Sequence, residues 1–128
     1  MRLLLDTHAF VWFALDDPKL SLTAKTSIND PSNEVYLSPA SFWELAIKIS
    51  LGKYRLKQPF KVFVEHQITV NQIRLLPIEI VHAEAILTLP LHLRDPFDRL
   101  LIGQAIVESM RIVSDDGVFD NYPVSRLW

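Results

Sequence analysis

Five acidic residues occupy positions where carboxylates could act together. Asp6 ends the apolar run "RLLL", and Asp115 and Asp116 follow the apolar run "RIVS". Glu44 interrupts "SFWELAI" with a charge among apolar neighbours, and Asp98 lies two residues after a proline that suits the start of a helix. Each residue alone has a structural explanation as a helix cap, a turn residue or a partner of the helix dipole. Taken together, they indicate a shared site.

Carboxylates that converge need a counter-charge. Four of them within about 5 Å of one another repel by roughly 3 kcal/mol per pair at an effective dielectric constant near 20. Magnesium and manganese prefer oxygen ligands and keep several waters, which further acids can hold. Such a site suits hydrolysis of a phosphodiester, because the ion lowers the pKa of a bound water. The four histidines are scattered and lack zinc spacing, so we expect them to be structural or surface residues.

Hydrophobic patterns predict strands and helices that alternate along the chain. Strands are expected at "RLLL", "VYLS", "IRLLPI" and "RIVS". Helices are expected at "THAFVWFAL", "LTAKTSI", "ASFWELAIKISL", "PFKVFVEHQITV", "EIVHAEAILTLP" and "RDPFDRLLIGQAIVESM". Thr7 is placed to begin the first helix, Ser21, Ser38 and Asp95 to cap later ones, and Gly52 to close the third.

This alternation predicts a single α/β domain with a parallel sheet covered by helices on both faces. Ligand sites in such sheets form outside the carboxyl ends of the strands, where loops and helix starts converge. Asp6, Glu44, Asp98 and Asp116 are all expected at that edge. The sequence thus predicts one site built by residues that are far apart along the chain.

Composition limits the classes of protein to consider. The 128 residues suffice for one domain with one core, and no apolar run approaches the length of about 20 residues that spans a membrane. There are no cysteines, which fits a reducing cytosol and excludes thiolate metal sites. We therefore expect a soluble protein without a membrane segment or signal peptide.

A local basic run contrasts with the net charge of −2 and the pI near 6.0. Between Glu44 and Glu65, every charged residue is a cation. These residues are Lys48, Lys53, Arg55, Lys57 and Lys61. The run is either a solvated face or a contact for nucleic-acid phosphates. The aromatic residues in the predicted helices, among them Trp12 and Trp43, are expected to serve as core or subunit contacts rather than as stacking platforms for bases.

Four segments resemble the acidic motifs of a known family in the right order. They are "LLLDTHAFVW", "SPASFWELAIKISLGK", "RDPFDRLLIGQA" and "IVSDDGVFDNYPV". They are similar to the motifs of PIN-domain ribonucleases, especially the VapC-type toxins of toxin–antitoxin systems, whose third motif has the form Asp-Pro-Phe-Asp-Arg. The resemblance spans nearly the whole chain. It implies a PIN-like three-layer α/β/α sandwich with a central parallel sheet, formed as one PIN domain by residues 1–128.

The resemblance also implies a function. The family's acidic residues correspond to Asp6, Glu44, Asp98 and Asp116, and Ser114 matches the small hydroxyl residue of the last motif. These acids would hold magnesium or manganese in an endoribonuclease, with Asp116 placing a second ion or the attacking water. The family further implies an RNA substrate, an antitoxin partner, a homodimer and a bacterial or archaeal cytoplasm.

Supporting roles are expected for several neighbours of these acids. Ser114 and Thr7 are candidates to hold the acidic side chains, whereas Lys48, Lys53, Arg55 and Arg99 are candidates to contact RNA phosphates. Asp115 precedes the last motif's acid, at a position that is often basic or neutral in the family, so either Asp115 or Asp116 could face the metal.

Three other functions compete with this interpretation. A phosphatase with an aspartyl nucleophile would also carry Asp6, but it normally has a second Asp where His8 stands. A signalling receiver domain would need a phosphorylated Asp at the third strand, where "IRLLPIE" offers only Glu79. A PIN-like domain that binds RNA or a partner without cutting would not need all four acids. Metal-dependent RNA cleavage separates the nuclease from these three.

Overall fold

The computed structural model covers residues 1–128 and is organised around a five-stranded sheet. The strands are β1 (Arg2–Leu5), β2 (Glu34–Leu37), β3 (Arg74–Leu75), β4 (Arg111–Val113) and β5 (Arg126–Leu127). Their order across the sheet is β3-β2-β1-β4-β5, and every neighbouring pair is parallel. The helices are α1 (Thr7–Ala14), α2 (Leu22–Asn29), α3 (Pro39–Ser50), α4 (Phe60–Val70), α5 (Ile80–Ile86) and α6 (Pro96–Glu108), with a 3-10 helix at Gly117–Asn121.

Helices cover both faces of this sheet and bury two apolar clusters. Alternate residues of β1 point to opposite faces, so Leu3 and Leu5 join one cluster and Leu4 joins the other. Helices α1 to α4 contribute to the first cluster and α6 to the second. Complete burial of such leucines stabilises a fold by about 1.5–3 kcal/mol each. The predicted single-domain α/β sandwich with a central parallel sheet is confirmed.

Helix α5 packs directly against α6 at Gly103. A Cβ at this position would lie 2.7 Å from the backbone oxygen of His82, so a larger residue would force the two helices apart. His82 is completely buried there, and its Nε2 lies 3.0 Å from Oε1 of Glu108. Of the four histidines, this one is a core residue that joins the two helices.

Several elements differ in length from the sequence prediction. Helix α5 ends at Ile86 rather than just before Pro90, and β3 contains only Arg74 and Leu75. Strand β5 and the 3-10 helix were not predicted. Two-residue strands give no recognisable alternation, and β5 exists because Leu127 pairs with Val113 of β4. None of the helices has the length and apolar character needed to cross a membrane.

The register of the sheet places the ends of its central strands at one level. Leu5 pairs with Leu37 on one side and with Val113 on the other. The residues that follow, Asp6, Ser38 and Ser114, therefore leave the sheet side by side. The expected position of the site at this carboxyl edge follows directly from the register.

Candidate active site

A cleft of about 560 Å³ opens at the carboxyl edge of the sheet. Its lining includes six carboxylate residues, one histidine and one lysine. The acids are Asp6, Glu44, Asp95, Asp98, Asp115 and Asp116. The structure therefore brings all four predicted acids to one cleft, together with two more.

Asp6 both begins a helix and faces the cleft. It is the N-cap of α1, where its carboxylate accepts a hydrogen bond from the Ala9 amide at 2.7 Å, so the first helix is capped by Asp6 rather than by Thr7. The side chain is only 5% exposed. Burial raises its pKa to about 6, although hydrogen bonds from the Ser114 hydroxyl and the Ala9 amide act in the opposite direction. Ser114 thus contacts a predicted acid, as expected for a supporting residue.

Glu44 is a buried acid on the second turn of α3. The α3 helix begins as predicted, with Ser38 as N-cap and Pro39 in the first turn, and Gly52 follows its end with a φ of +72°. Glu44 Oε1 accepts a hydrogen bond from the Thr7 hydroxyl at 2.5 Å, and Oε2 lies 3.2 Å from Lys48 Nζ. Both of its oxygens are therefore held by neighbouring side chains.

Asp98 is available to the cleft because a different residue caps its helix. The Asp95 carboxylate accepts hydrogen bonds from the backbone amides of Phe97 and Asp98, at 2.9 and 3.3 Å. The pKa of Asp98 is raised to about 7, most strongly by burial and then by the charges of Asp95, Asp6, Glu44 and Asp116 in that order. These contributions indicate that the acids influence one another across the cleft.

Asp115 and Asp116 both line the cleft on the segment after β4. Asp116 caps the 3-10 helix by accepting a hydrogen bond from the Val118 amide at 3.0 Å, and its own amide donates to the Ser114 hydroxyl at 3.0 Å. The charge of Asp115 raises the pKa of Asp6, whereas that of Asp116 raises the pKa of Asp98. The two neighbours therefore face different acids of the same cleft.

The donor set of this cleft fits a hard divalent cation. Six carboxylates face a single lysine, and two of the acids have pKa values raised partly by their neighbours. As they stand, no three acidic or imidazole groups are arranged around one point. The reason is local: Glu44 is turned toward Thr7 and Lys48, and Asp6 toward the Ala9 amide. Reorientation of these side chains would let an ion replace those contacts.

Comparison with known proteins agrees with this geometry. The PIN domain family matches residues 3–124. The chain belongs to the PIN domain family. In sequence, no curated protein matches it.

Solved structures share the fold of this PIN domain over almost its full length. VapBC2 from Rickettsia felis, bound to a DNA fragment from its promoter, has a TM-score of 0.75 at 15% identity, covering 98% of this chain and 97% of that one. FitAcB from Neisseria gonorrhoeae has a TM-score of 0.65 at 21% identity, with 97% and 95% covered. A toxin–antitoxin complex from Klebsiella pneumoniae has a TM-score of 0.61 at 15% identity, with 94% and 92% covered.

The cations predicted to contact RNA occupy different places in this PIN domain. Lys48 lines the acidic cleft, and Lys53 lines an adjoining pocket. Arg55 is exposed and lines neither. Arg99 donates hydrogen bonds to four backbone carbonyl oxygens, those of Ile86, Leu89, Pro90 and Leu93. These contacts fix the loop between α5 and α6, and a phosphate contact by Arg99 stays a prediction.

Three side chains of the cleft, besides the backbone of Gly117, were not predicted to line it. Asp95 was predicted only as a helix cap, and it also adds charge to the cleft. His8 and Trp12 lie one turn apart on α1, facing the cleft next to Asp6. Their spacing of four residues places them on one helix face, which is the signal that could have linked them to Asp6.

Proposed function

We propose that this PIN domain is a divalent-metal-dependent endoribonuclease and the toxin of a type II toxin–antitoxin pair. The observation that carries the proposal is the acidic cleft itself. Three of its six carboxylates cap helices, but gathering all six around one lysine destabilises the fold through their mutual repulsion. A cation and a substrate phosphate would supply the missing counter-charges.

Asp6, Glu44, Asp98 and Asp116 are the proposed ligands of magnesium or manganese. When bound, such an ion makes a coordinated water more acidic and offsets charge on the attacked phosphate. Thr7 holds Glu44 and Ser114 holds Asp6, so both hydroxyls fix the direction of acidic oxygens. Asp116, which is more exposed than Asp6 and Glu44, is suited to accept a proton from the attacking water or to hold a second ion.

RNA is the proposed substrate, because the four motifs resemble those of ribonucleases in order and spacing. Lys48 lies within the cleft beside Glu44, where a phosphate could take the place of that carboxylate as its partner. Lys53 continues this positive charge away from the acids. Lys48 and Lys53 thus support a path for an RNA backbone, to which the exposed Arg55 would add a further cation.

A protein partner is part of the proposal. The proteins of similar fold include a toxin–antitoxin complex from Klebsiella pneumoniae. The surface around α5 also exposes large apolar side chains, among them Ile80 at 89% and Leu87 at 83%. An antitoxin and a second copy of this chain are the partners we propose, in a cytoplasmic setting.

A single assay tests the catalytic part of the proposal. Purified protein is incubated with total RNA and with single-stranded DNA, in manganese, in magnesium and in chelator. We expect cleavage of RNA in either metal and none in chelator. Asp98→Asn serves as the site variant, and Glu34→Gln, at the opposite end of the sheet, as the matched control. Cleavage that persists in chelator, or that Asp98→Asn leaves intact, would contradict the proposal.

A further inference from the structure

A second pocket adjoins the acidic cleft and has a different character. It measures about 360 Å³ and shares Thr7, His8, Trp12 and Lys48 with the cleft, so the two form one continuous surface. Beyond the shared residues, its lining adds two lysines, a tyrosine and two apolar residues. We call this surface the aromatic pocket and define it by His8, Trp12, Lys19, Lys53 and Tyr54.

A ring pair forms the boundary between the cleft and the aromatic pocket. The rings of His8 and Trp12 are stacked, with centroids 5.4 Å apart and planes 16° from parallel. His8 is exposed, whereas Trp12 is half-buried and rests against Trp128 at 5.9 Å between centroids. The Trp12 ring thus stacks against the exposed His8 ring and is itself packed against Trp128.

The lysines of the aromatic pocket have no acidic partner. Lys25, Lys48 and Lys61 lie within 4.0 Å of a carboxylate. Lys19 and Lys53 do not, and Lys19 Nζ lies 5.9 Å from the centre of the Trp12 ring. Lys19 and Lys53 lie next to an acid-rich cleft, yet neither forms an ion pair with its acids. They remain available to anions.

We propose that the aromatic pocket binds the nucleotide next to the cleaved bond in single-stranded RNA. A base would stack on the His8–Trp12 pair, and Lys19 and Lys53 would contact the flanking phosphates. Stacking of this kind requires an unpaired base, because bases within a helix are already stacked on their neighbours. This pocket would make the enzyme selective for unpaired segments, and the inference rests on the proposed ribonuclease function.

Trp12 belongs both to the core, as expected, and to the aromatic pocket. Trp12 was expected to be a core or subunit contact, and its ring does pack against the apolar cluster under α1. The same ring also lines both cavities. Trp43, by contrast, is 61% exposed and contacts Phe97 at 5.3 Å, outside both cavities, so it provides a matched control.

Binding, rather than cleavage, tests this proposal. The Asp98→Asn variant, which should bind without cutting, is titrated into a labelled single-stranded RNA of roughly ten nucleotides and into a duplex of the same sequence, with fluorescence anisotropy as readout. We expect the single strand to bind more tightly than the duplex. Adding His8→Ala or Trp12→Leu should weaken single-strand binding about tenfold, whereas Trp43→Leu should not. His8→Ala keeps the test valid if Trp12→Leu fails to fold.

A salt titration separates the contribution of the two lysines to RNA binding from that of the aromatic rings. Replacing Lys19 and Lys53 together by Ala should lower the slope of log affinity against log salt by roughly 1.4, at about 0.7 per phosphate contact, whereas Lys61→Ala should leave it unchanged.

Equal binding of single strand and duplex, or unchanged binding by both ring variants, would overturn the proposal. If only the lysine variant loses RNA binding and the ring variants do not, base stacking is excluded. The surface would then bind RNA through charge alone. If the ring variants weaken RNA binding but the parent shows no metal-dependent cleavage, the ribonuclease proposal fails. The aromatic pocket then remains a binding site for single-stranded RNA.

Discussion

Acidic side chains are paired with basic residues at the amino end of the central sheet, whereas they cluster together at its carboxyl end. At the amino end, Glu34 lies 3.8 Å from Arg2 and 3.3 Å from Arg74, and Glu108 lies 3.8 Å from Arg2 and 3.0 Å from His82. Each acid there has two basic partners. At the carboxyl end, six acids share a cleft with Lys48 and His8.

This difference supports the proposal that the functional site lies at the carboxyl end of the sheet. Both ends belong to the same strands, so the backbone of the sheet does not require an acidic cluster at either edge. At the carboxyl end, by contrast, the pKa values of Asp6 and Asp98 are raised to about 6 and about 7. Unpaired acids that destabilise a fold are expected where a cation binds.

Neutralising the acids of the cleft should have the largest effect on function. We expect Asp6→Asn, Glu44→Gln and Asp98→Asn each to lower metal-dependent RNA cleavage by more than about a hundredfold, since loss of an outer partner of a metal ligand already costs about 10–100-fold. Initial rates on a defined RNA at saturating manganese measure this. Rates within a few-fold of the parent for all three would remove the cleft from the mechanism.

The two neighbouring acids after β4 should differ. Asp116→Asn should be severe, because its charge acts on Asp98, whereas Asp115→Asn should be mild. The asparagine variants are chosen because Asn can keep the cap of the 3-10 helix. The same rate assay decides the matter, and a reversed order would assign the metal to Asp115.

Relieving repulsion at the carboxyl end should stabilise the protein in the absence of metal. Asp98→Asn leaves the helix cap at Asp95 untouched, so we expect it to melt about 3–6 °C above the parent in chelator at neutral pH. Manganese should raise the melting temperature of the parent more than that of the variant, because an ion that binds the native state stabilises it. A variant that melts lower in chelator and gains as much from manganese would contradict this picture.

The same acid should make stability depend on pH. In the folded protein Asp98 keeps its proton up to about pH 7, whereas the unfolded chain releases it near 3.8. Between these values the native state binds more protons, so the free energy of unfolding falls as pH rises. In chelator, the stability advantage of Asp98→Asn over the parent should therefore grow from about pH 5 to about pH 8. Denaturant titrations at several pH values measure it, and a constant advantage would argue against this protonation.

The smallest effect is expected at the amino end. Glu34 is 43% exposed at its side chain, and exposed ion pairs contribute about 0.2–1 kcal/mol. Glu34→Gln should therefore lower the free energy of unfolding by less than about 1 kcal/mol and leave cleavage intact. It should not melt above the parent in chelator. A stabilisation equal to that of Asp98→Asn would erase the contrast between the two ends.

Much of the fold and of the acidic site could be predicted because both depend on local patterns. The four longer apolar runs gave the central strands, and the serine and aspartate caps gave the starts of α2, α3 and α6. Once those strands are parallel, Asp6 and Asp116 must meet at one edge. Glu44 and Asp98 were expected at the same edge because each lies near the start of a predicted helix.

What could not be predicted depends on contacts between distant residues. Nothing near Arg99 in the sequence indicates that its guanidinium would bind four carbonyl oxygens of the preceding loop. Strand β5 is defined by its partner β4 rather than by its own two residues. The position of Trp12 beside the cleft required the packing of α1 against the sheet. These features follow from tertiary structure, which composition and periodicity do not encode.

The central position of β1 has a consequence for how the protein folds. Its neighbours are β2, about thirty residues later, and β4, more than a hundred residues later. Because closing long loops is slow, the β1–β2 pair should form well before β4 docks. An intermediate of that kind holds Asp6 and Glu44 but not Asp116, so it has half of the cleft. Nuclease activity would then appear only in the last step of folding and would be the first property lost when β4 detaches.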